Sequence, residues 1–181
     1  MQEELVLLKR ARALEEDALA EIHHRYYATI YRYISFRIDD MHTVEDLTSE
    51  VFVRFLSALR ERHAPQNSIQ GWLYGTANRV VKEQYRKQKR SKTAPLNDSL
   101  PSQQAGPEQG VEALLSIERL RRALPLLTEE QQHVLALRFG QEMPIREVAK
   151  LVNKSEGAVK MLQARAIAAL TGHLATGEVS R

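Results

Sequence analysis

Apolar residues recur along this chain at spacings of three and four, and no stretch alternates as a strand would. From Asp17 to Ile38, the positions Leu19, Ile22, Tyr26, Ile30, Tyr33 and Ile34 fall on one face, which predicts a core helix. Asp39 and Asp40 interrupt it. A second helix is predicted from near Thr43, with Leu47, Val51, Phe55 and Leu59 at steps of four and Glu45 and Asp46 suited to its N-terminal end. Pro65 and Asn67 mark Glu61 to Ser68 as a loop. A third helix is predicted from about Ile69 through Trp72, Leu73, Thr76, Val80 and Val81.

Between Ser91 and Gly110 the chain turns to proline, glycine, serine and glutamine, the composition of a flexible linker. Periodicity returns at Val111 with Leu114, Leu115, Ile117, Leu120 and Leu124, and Pro125 breaks it. Thr128 and Gln131 have capping-box spacing, so a helix is predicted to start at Thr128. Pro144 suits the first position of a short helix, Ile145 to Leu151, that ends at Asn153, a residue tolerant of the left-handed conformation. Ser155 is placed to cap a longer helix. Ala149, Asn153 and Val159 then fit a helix-turn-helix: a small residue for close approach, a turn former, and an apolar filler. Val148, Val152 and Leu162 complete its core, while Glu156, Gly157, Lys160, Met161, Gln163 and Ala164 face outward. The predicted fold is all-α, two small helical domains joined by a linker, with boundaries at 1–90, 91–110 and 111–181.

Charge matters where it is concentrated. Of a net +3, the stretch Lys82 to Lys92 holds six basic residues and one acidic, a local +5, so the remainder sums to −2. Clustered cations gain by releasing counterions from phosphates, which points to a nucleic-acid surface. The chain has no cysteine, which excludes thiol catalysis and thiolate metal sites. His23 and His24 are adjacent and diverge on a helix, and no zinc-protease motif, phosphate loop or nucleophile elbow is present, so neither a catalytic residue nor a metal or other cofactor is expected. No apolar run is long enough to cross a membrane and the N-terminus is charged throughout, so membrane insertion is not expected and a cytoplasmic location is.

The stretches DALAEIHHRYYATIYRYI (Asp17 to Ile34), VEDLTSEVFVRFL (Val44 to Leu56) and GWLYGTANRVVKEQYRKQKR (Gly71 to Arg90) resemble region 2 of the sigma-70 family in order and spacing. LPLLTEEQQHVLALRF (Leu124 to Phe139) and PIREVAKLVNKSEGAVKMLQARAIAAL (Pro144 to Leu170) resemble region 4. No middle domain fits between them, which is similar to the extracytoplasmic-function (ECF) type. Ser49, the order Asn78 then Arg79, and Leu162 depart from the commonest pattern at single positions.

The resemblance implies a transcription initiation factor that carries out no covalent chemistry. Its partners would be core RNA polymerase, promoter DNA and an anti-sigma protein. The helix from Val44 would meet polymerase through Asp46, Leu47, Glu50, Val51 and Phe52; Leu47 and Val51 fit simple core packing better, and Asp46 and Glu50 are the sharper candidates. The minus-10 element would be met by Asn67, Ser68, Asn78, Arg79, Tyr85, Arg86 and Lys87, with Trp72 read as core. The minus-35 element would be met by Arg146, Ser155, Glu156, Gly157, Lys160, Gln163 and Arg165. The chief alternative is a stand-alone helix-turn-helix regulator, for which the N-terminal block would have no use.

Overall fold

The computed structural model describes residues 2–61, 65–66, 68–92 and 119–175. The predicted linker 91–110 beyond residue 92, the predicted helix start at Val111 and the loop residue Asn67 lie outside the described residues.

Before Asp17, where the apolar pattern assigns no element, Gln2–Arg12 forms α1. Its run of Leu5, Val6, Leu7 and Leu8 shows no single face by spacing. Leu7, Leu8 and Ala11 are buried, and Leu5 and Val6 are exposed. Glu3 and Glu4 at its start and Lys9, Arg10 and Arg12 at its end match the helix dipole. A tight turn with Leu14 at φ 58° leads into α2, Glu16–Ser35. This helix buries Ile22, Tyr26, Ile30, Tyr33 and Ile34, the predicted face.

The two aspartates that break the pattern act as a stop and a start. Asp40 caps α3, Met41–Arg60, its carboxylate accepting from the Thr43 amide at 2.8 Å and the Thr43 hydroxyl at 2.6 Å. Those bonds hold its pKa below the usual carboxylate value. Helix α4, Ile69–Lys92, lies against both α2 and α3, while α1 packs across α2. The bundle core joins Ile22, Tyr33, Val51, Phe55, Ile69, Leu73 and Val80. Each such large side chain contributes about 1.5–3 kcal/mol of burial. Trp72 sits in this packing, its ring meeting Phe55 edge-on at 5.4 Å.

The C-terminal unit begins with a helical stretch at 119–123 that tightens into a 3-10 turn, Leu124–Leu126, around Pro125. The capping box forms as predicted: the Gln131 amide donates to the Thr128 hydroxyl, and the Thr128 amide donates to the Gln131 side chain at 2.9 Å. From it runs α5, Glu129–Leu135, followed by a π-turn over Ala136–Gly140. Helices α6, Ile145–Leu151, and α7, Glu156–Ala175, form the helix-turn-helix. Pro144 stands one position earlier than predicted, at the N-cap, where its extended backbone feeds the helix without supplying an amide. Asn153 makes the turn at φ 52°, Ala149 and Val159 are buried between the helices, and Ser155 caps α7 by accepting from the Ala158 amide at 3.1 Å.

Length alone leaves one core or two open, and in the structure apolar packing joins the two units. Val134, Leu137, Met143, Val148 and Val159 share one apolar cluster with the N-terminal bundle, while Leu124, Leu127, Leu135, Ala166 and Leu170 form a smaller one. Phe36, just after α2, packs against both. Units this small bury little surface alone, so each gains by covering the apolar face of the other.

Candidate nucleic-acid interface

Helix α4 carries cations along its outer half, Arg79, Arg86 and Lys87 being exposed. Its first turn is held from α1: Glu4 accepts from the Gln70 amide at 3.2 Å and from the Ser68 hydroxyl at 3.3 Å. Ser68 in turn accepts from the Gly71 amide at 3.0 Å, the geometry of an N-cap. Arg54 ties α4 to α3 by bonding Glu83 at 2.6 Å and Glu50 at 2.8 Å. The hydrogen bond to Arg54 lowers the Glu83 pKa, with Arg79 and Arg86 adding to the effect.

Asn78 and Tyr85 face inward, toward α2. Both terminal guanidinium nitrogens of Arg37 donate to Asn78 Oδ1 at 2.9 Å, and the Tyr85 hydroxyl donates to the Arg37 carbonyl at 2.9 Å. Arg37 also bonds the Tyr33 hydroxyl and lies 4.6 Å from the centre of its ring. It is 3% exposed, and its Nε is buried without a hydrogen-bond partner. Buried guanidinium groups are ordinarily matched by a carboxylate; the groups that receive this one are neutral oxygens and an aromatic face.

His133 of α5 closes the cluster. Its Nδ1 lies 2.6 Å from the Tyr33 hydroxyl, and the two rings meet edge-on. Burial, and secondarily the Arg37 charge, push its pKa down to about 3, so the imidazole is neutral and Nδ1 shares one hydrogen bond with the Tyr33 hydroxyl. Part of the residue reaches solvent, but the ring is enclosed between Tyr33 and the Arg37 charge. Burial likewise raises Tyr33 and Tyr74 and pushes Tyr85 up to about 12.

On α3, Asp46 is exposed, Leu47 and Glu50 are half-buried, and Val51 and Phe52 are 0% and 8% exposed. Val51 thus takes the core reading. Leu47 lies against the core's edge, and Phe52 stacks with Tyr27 at 6.0 Å.

The third surface is the start of α7. Ser155, Glu156, Gly157, Lys160 and Arg165 are exposed, as is Arg146 on α6. A Cβ at Gly157 would meet only Ser155 Oγ, at 3.9 Å, so the fold itself has no steric need for glycine there. Gln163, expected to face outward, is half-buried and accepts from Arg138 Nε at 3.2 Å. Arg138 also bonds the Met143 carbonyl, so it fastens the π-turn to the recognition helix through Gln163 and to the segment before α6 through Met143. Arg37, His133 and Arg138 were not singled out by sequence. Arg37 and Arg138 each stand between apolar neighbours, His133 follows two glutamines, and only the tertiary contact reveals the role of each.

The chain spans 63% of the length of the curated relative BldN, an ECF RNA polymerase sigma factor of Streptomyces coelicolor, and is 33% identical to it over 91% of its own length. It is 30% identical to the RNA polymerase sigma factor YlaC of Bacillus subtilis, covering 83% of this chain and 88% of that protein. In fold it is similar to the solved structure of CnrH in complex with the cytosolic domain of CnrY, with a TM-score of 0.64, 21% identity and coverage of 96% and 97% of the two chains. Residues 22–91 match Sigma-70 region 2 and residues 123–171 match Sigma-70 region 4. A basic-helix bundle followed by a helix-turn-helix, matching those two regions in order, makes this chain a member of the sigma-70 family of RNA polymerase sigma factors, of the ECF type, a non-enzymatic transcription initiation factor.

Proposed function

We propose that the chain recruits core RNA polymerase to promoters having a minus-10 and a minus-35 element, with residues 1–90 and 111–181 as its two working units. The observation that carries this reading is the pairing, in one chain, of a bundle with a cation-lined α4 and a helix-turn-helix with an open N-terminal edge on α7. Polymerase is met on the exposed side of α3 by Asp46, Leu47 and Glu50. Arg54 neutralises part of the Glu50 charge and leaves Asp46 as the clearer acidic contact.

The minus-10 strand is met by Ser68, Asn67 and α4. Arg79, Arg86 and Lys87 attract its backbone, and Asn78 and Tyr85 offer an amide and an aromatic ring to unpaired bases. The minus-35 duplex is met by the start of α7, where Glu156 and Lys160 reach base edges and Arg146, Ser155 and Arg165 the phosphates, with Gly157 allowing close approach and Gln163 holding the helix to Arg138. An anti-sigma protein is a further expected partner, a reading supported by the shared fold with CnrH, solved with part of CnrY. The site of action is the cytoplasm. No helix among the described residues is long and apolar enough to cross a membrane.

Run-off transcription by bacterial core polymerase from a genomic promoter library tests the reading, comparing the wild type with an Asp46→Lys, Glu50→Lys double variant. Initiation at a shared two-part promoter, lost in the variant, is the expected result. Tight duplex binding with no redirection of polymerase would place the chain among stand-alone regulators.

A further inference from the structure

A guanidinium carries donors and no acceptor, so the amide atom that faces it must be the oxygen. Both terminal nitrogens of Arg37 lie 2.9 Å from the Asn78 oxygen, and the Tyr33 hydroxyl stands 3.5 Å from the same atom. An amide oxygen has two lone pairs, and the two guanidinium N–H groups take both. Asn78 is left with its nitrogen, the other arm of the planar amide, which only donates. Arg37 is itself held: it is 3% exposed, bonds the Tyr33 hydroxyl, and lies 4.6 Å from the centre of that fully buried ring. Turning the Asn78 amide over would set donor against donor and leave a buried cation unmet, which strongly disfavours the flip.

The order of residues on the helix matters as well. Arg79 is exposed, so the neutral amide of Asn78, and not a second cation, stands against Arg37. About two turns further along α4, Tyr85 is fixed by the same arginine. Its hydroxyl donates to the Arg37 carbonyl at 2.9 Å, which leaves the ring as the part offered to a base. Stacking on a ring tolerates any sequence, because every base has a π-face. Of the two residues, Asn78 is the one that can tell bases apart.

We propose that Arg37 is a positioning residue for minus-10 selectivity: it holds Asn78 as a donor-only reader, so that the unpaired base met there is thymine or guanine in preference to adenine or cytosine. The proposal rests on the reading of Asn78 as a minus-10 contact. Thymine O4 and guanine O6 accept from the Asn78 nitrogen, whereas adenine and cytosine carry an amino group at the corresponding position and oppose it with a second donor. The bidentate pairing by which asparagine ordinarily selects adenine needs the side-chain oxygen as well, and Arg37 occupies that oxygen.

The test is run-off transcription by the full chain with bacterial core polymerase, from a recovered promoter remade with each of the four bases at every minus-10 position in turn. The readout is the ratio of transcript from keto bases to transcript from amino bases at each position, which a mere loss of folded protein does not move. At the position whose ratio responds to Asn78→Ala, the wild type is expected to favour thymine or guanine by at least about fivefold. Asn78→Asp keeps the shape and an oxygen toward Arg37 but turns an acceptor outward, so the preference should invert to adenine and cytosine at that position alone. Arg37→Met frees the amide to present either end, and the ratio there should fall toward one.

Unchanged ratios at every position in Asn78→Ala overturn the assignment of Asn78 to the minus-10 element, and the proposal with it. A ratio that responds to Asn78→Ala but favours amino bases in the wild type, or keeps its wild-type sense in Asn78→Asp, overturns the donor-only reading and leaves the assignment intact. A wild-type ratio in folded Arg37→Met removes Arg37 from the selectivity. Asn78→Asp adds an opposite charge beside Arg37, so that arm decides the matter should the buried Arg37→Met substitution fail to fold.

Discussion

Arg37 and Asn78 are joined twice, both terminal guanidinium nitrogens converging on the one amide oxygen at 2.9 Å. The bond crosses from the end of α2 to the middle of α4, and with the Tyr85 hydroxyl on the Arg37 carbonyl it sets how α4 lies on the bundle. Arg37→Ala strips the Asn78 amide oxygen and the Tyr33 hydroxyl of their partner, and the expected loss is about 2–3 kcal/mol in urea unfolding. A double-mutant cycle with Asn78→Ala is expected to show coupling of about 1–2 kcal/mol. Additive effects would mean that the pair holds nothing together.

Acid should weaken the fold through His133. Its pKa is depressed to about 3, below the ordinary value near 6.5, so the unfolded chain binds the proton that the native chain refuses. The stabilisation is fully present above about pH 6.5 and is lost progressively as pH falls toward 3. Arg37 is the charge acting on the ring. Between pH 7.5 and 5.5 the wild type is expected to lose about 1 kcal/mol more than a His133→Gln variant, measured by urea titration at both values. Parallel losses in the two proteins would remove His133 as the cause.

Glycine at position 157 is expected to trade stability for function. The site is helical, exposed and open to a Cβ, so Gly157→Ala should raise stability by about 0.5 kcal/mol. The added methyl stands where α7 would approach the minus-35 duplex, and run-off from the chain's own promoter should fall. A variant both more stable and equally active would show that the duplex does not come close there.

Strand binding should follow the arithmetic of released ions. Arg86 is exposed on the outer half of α4, and Arg86→Ala is expected to flatten the slope of log affinity against log salt by about 0.7 for a single strand. Arg60, at the last turn of α3 and outside the proposed contacts, supplies the control substitution to alanine, for which the slope should stay.

Much of this was legible because it is local. Asn153, Ala149 and Val159 announce a helix-turn-helix by chemistry within eleven residues, and Thr128 with Gln131 announces a helix start within four. The first helix hid because four apolar residues in a row carry no phase; which of them faces inward is decided by α2. Asn78 and Tyr85 were legible as polar and aromatic residues on a basic helix, but their inward aim depends on Arg37, forty-one residues earlier. The π-turn and the docking of the two units were not legible at all. His133 reads as one more polar residue on a capped helix until Tyr33, a hundred residues away, is placed against it.

The π-turn at Ala136–Gly140 fits one residue more into the backbone than a regular helix would take. An α-helix turns through about 100° per residue, so shortening this segment by one would swing whatever follows around the helix axis by that amount. The recognition helix hangs from the far side of the turn, and Gly140 must still meet Phe36 on the near side. The number of residues across these five positions acts as a gear tooth: remove one, and the reading edge of α7 points away from the groove it is shaped to enter while every helix remains intact.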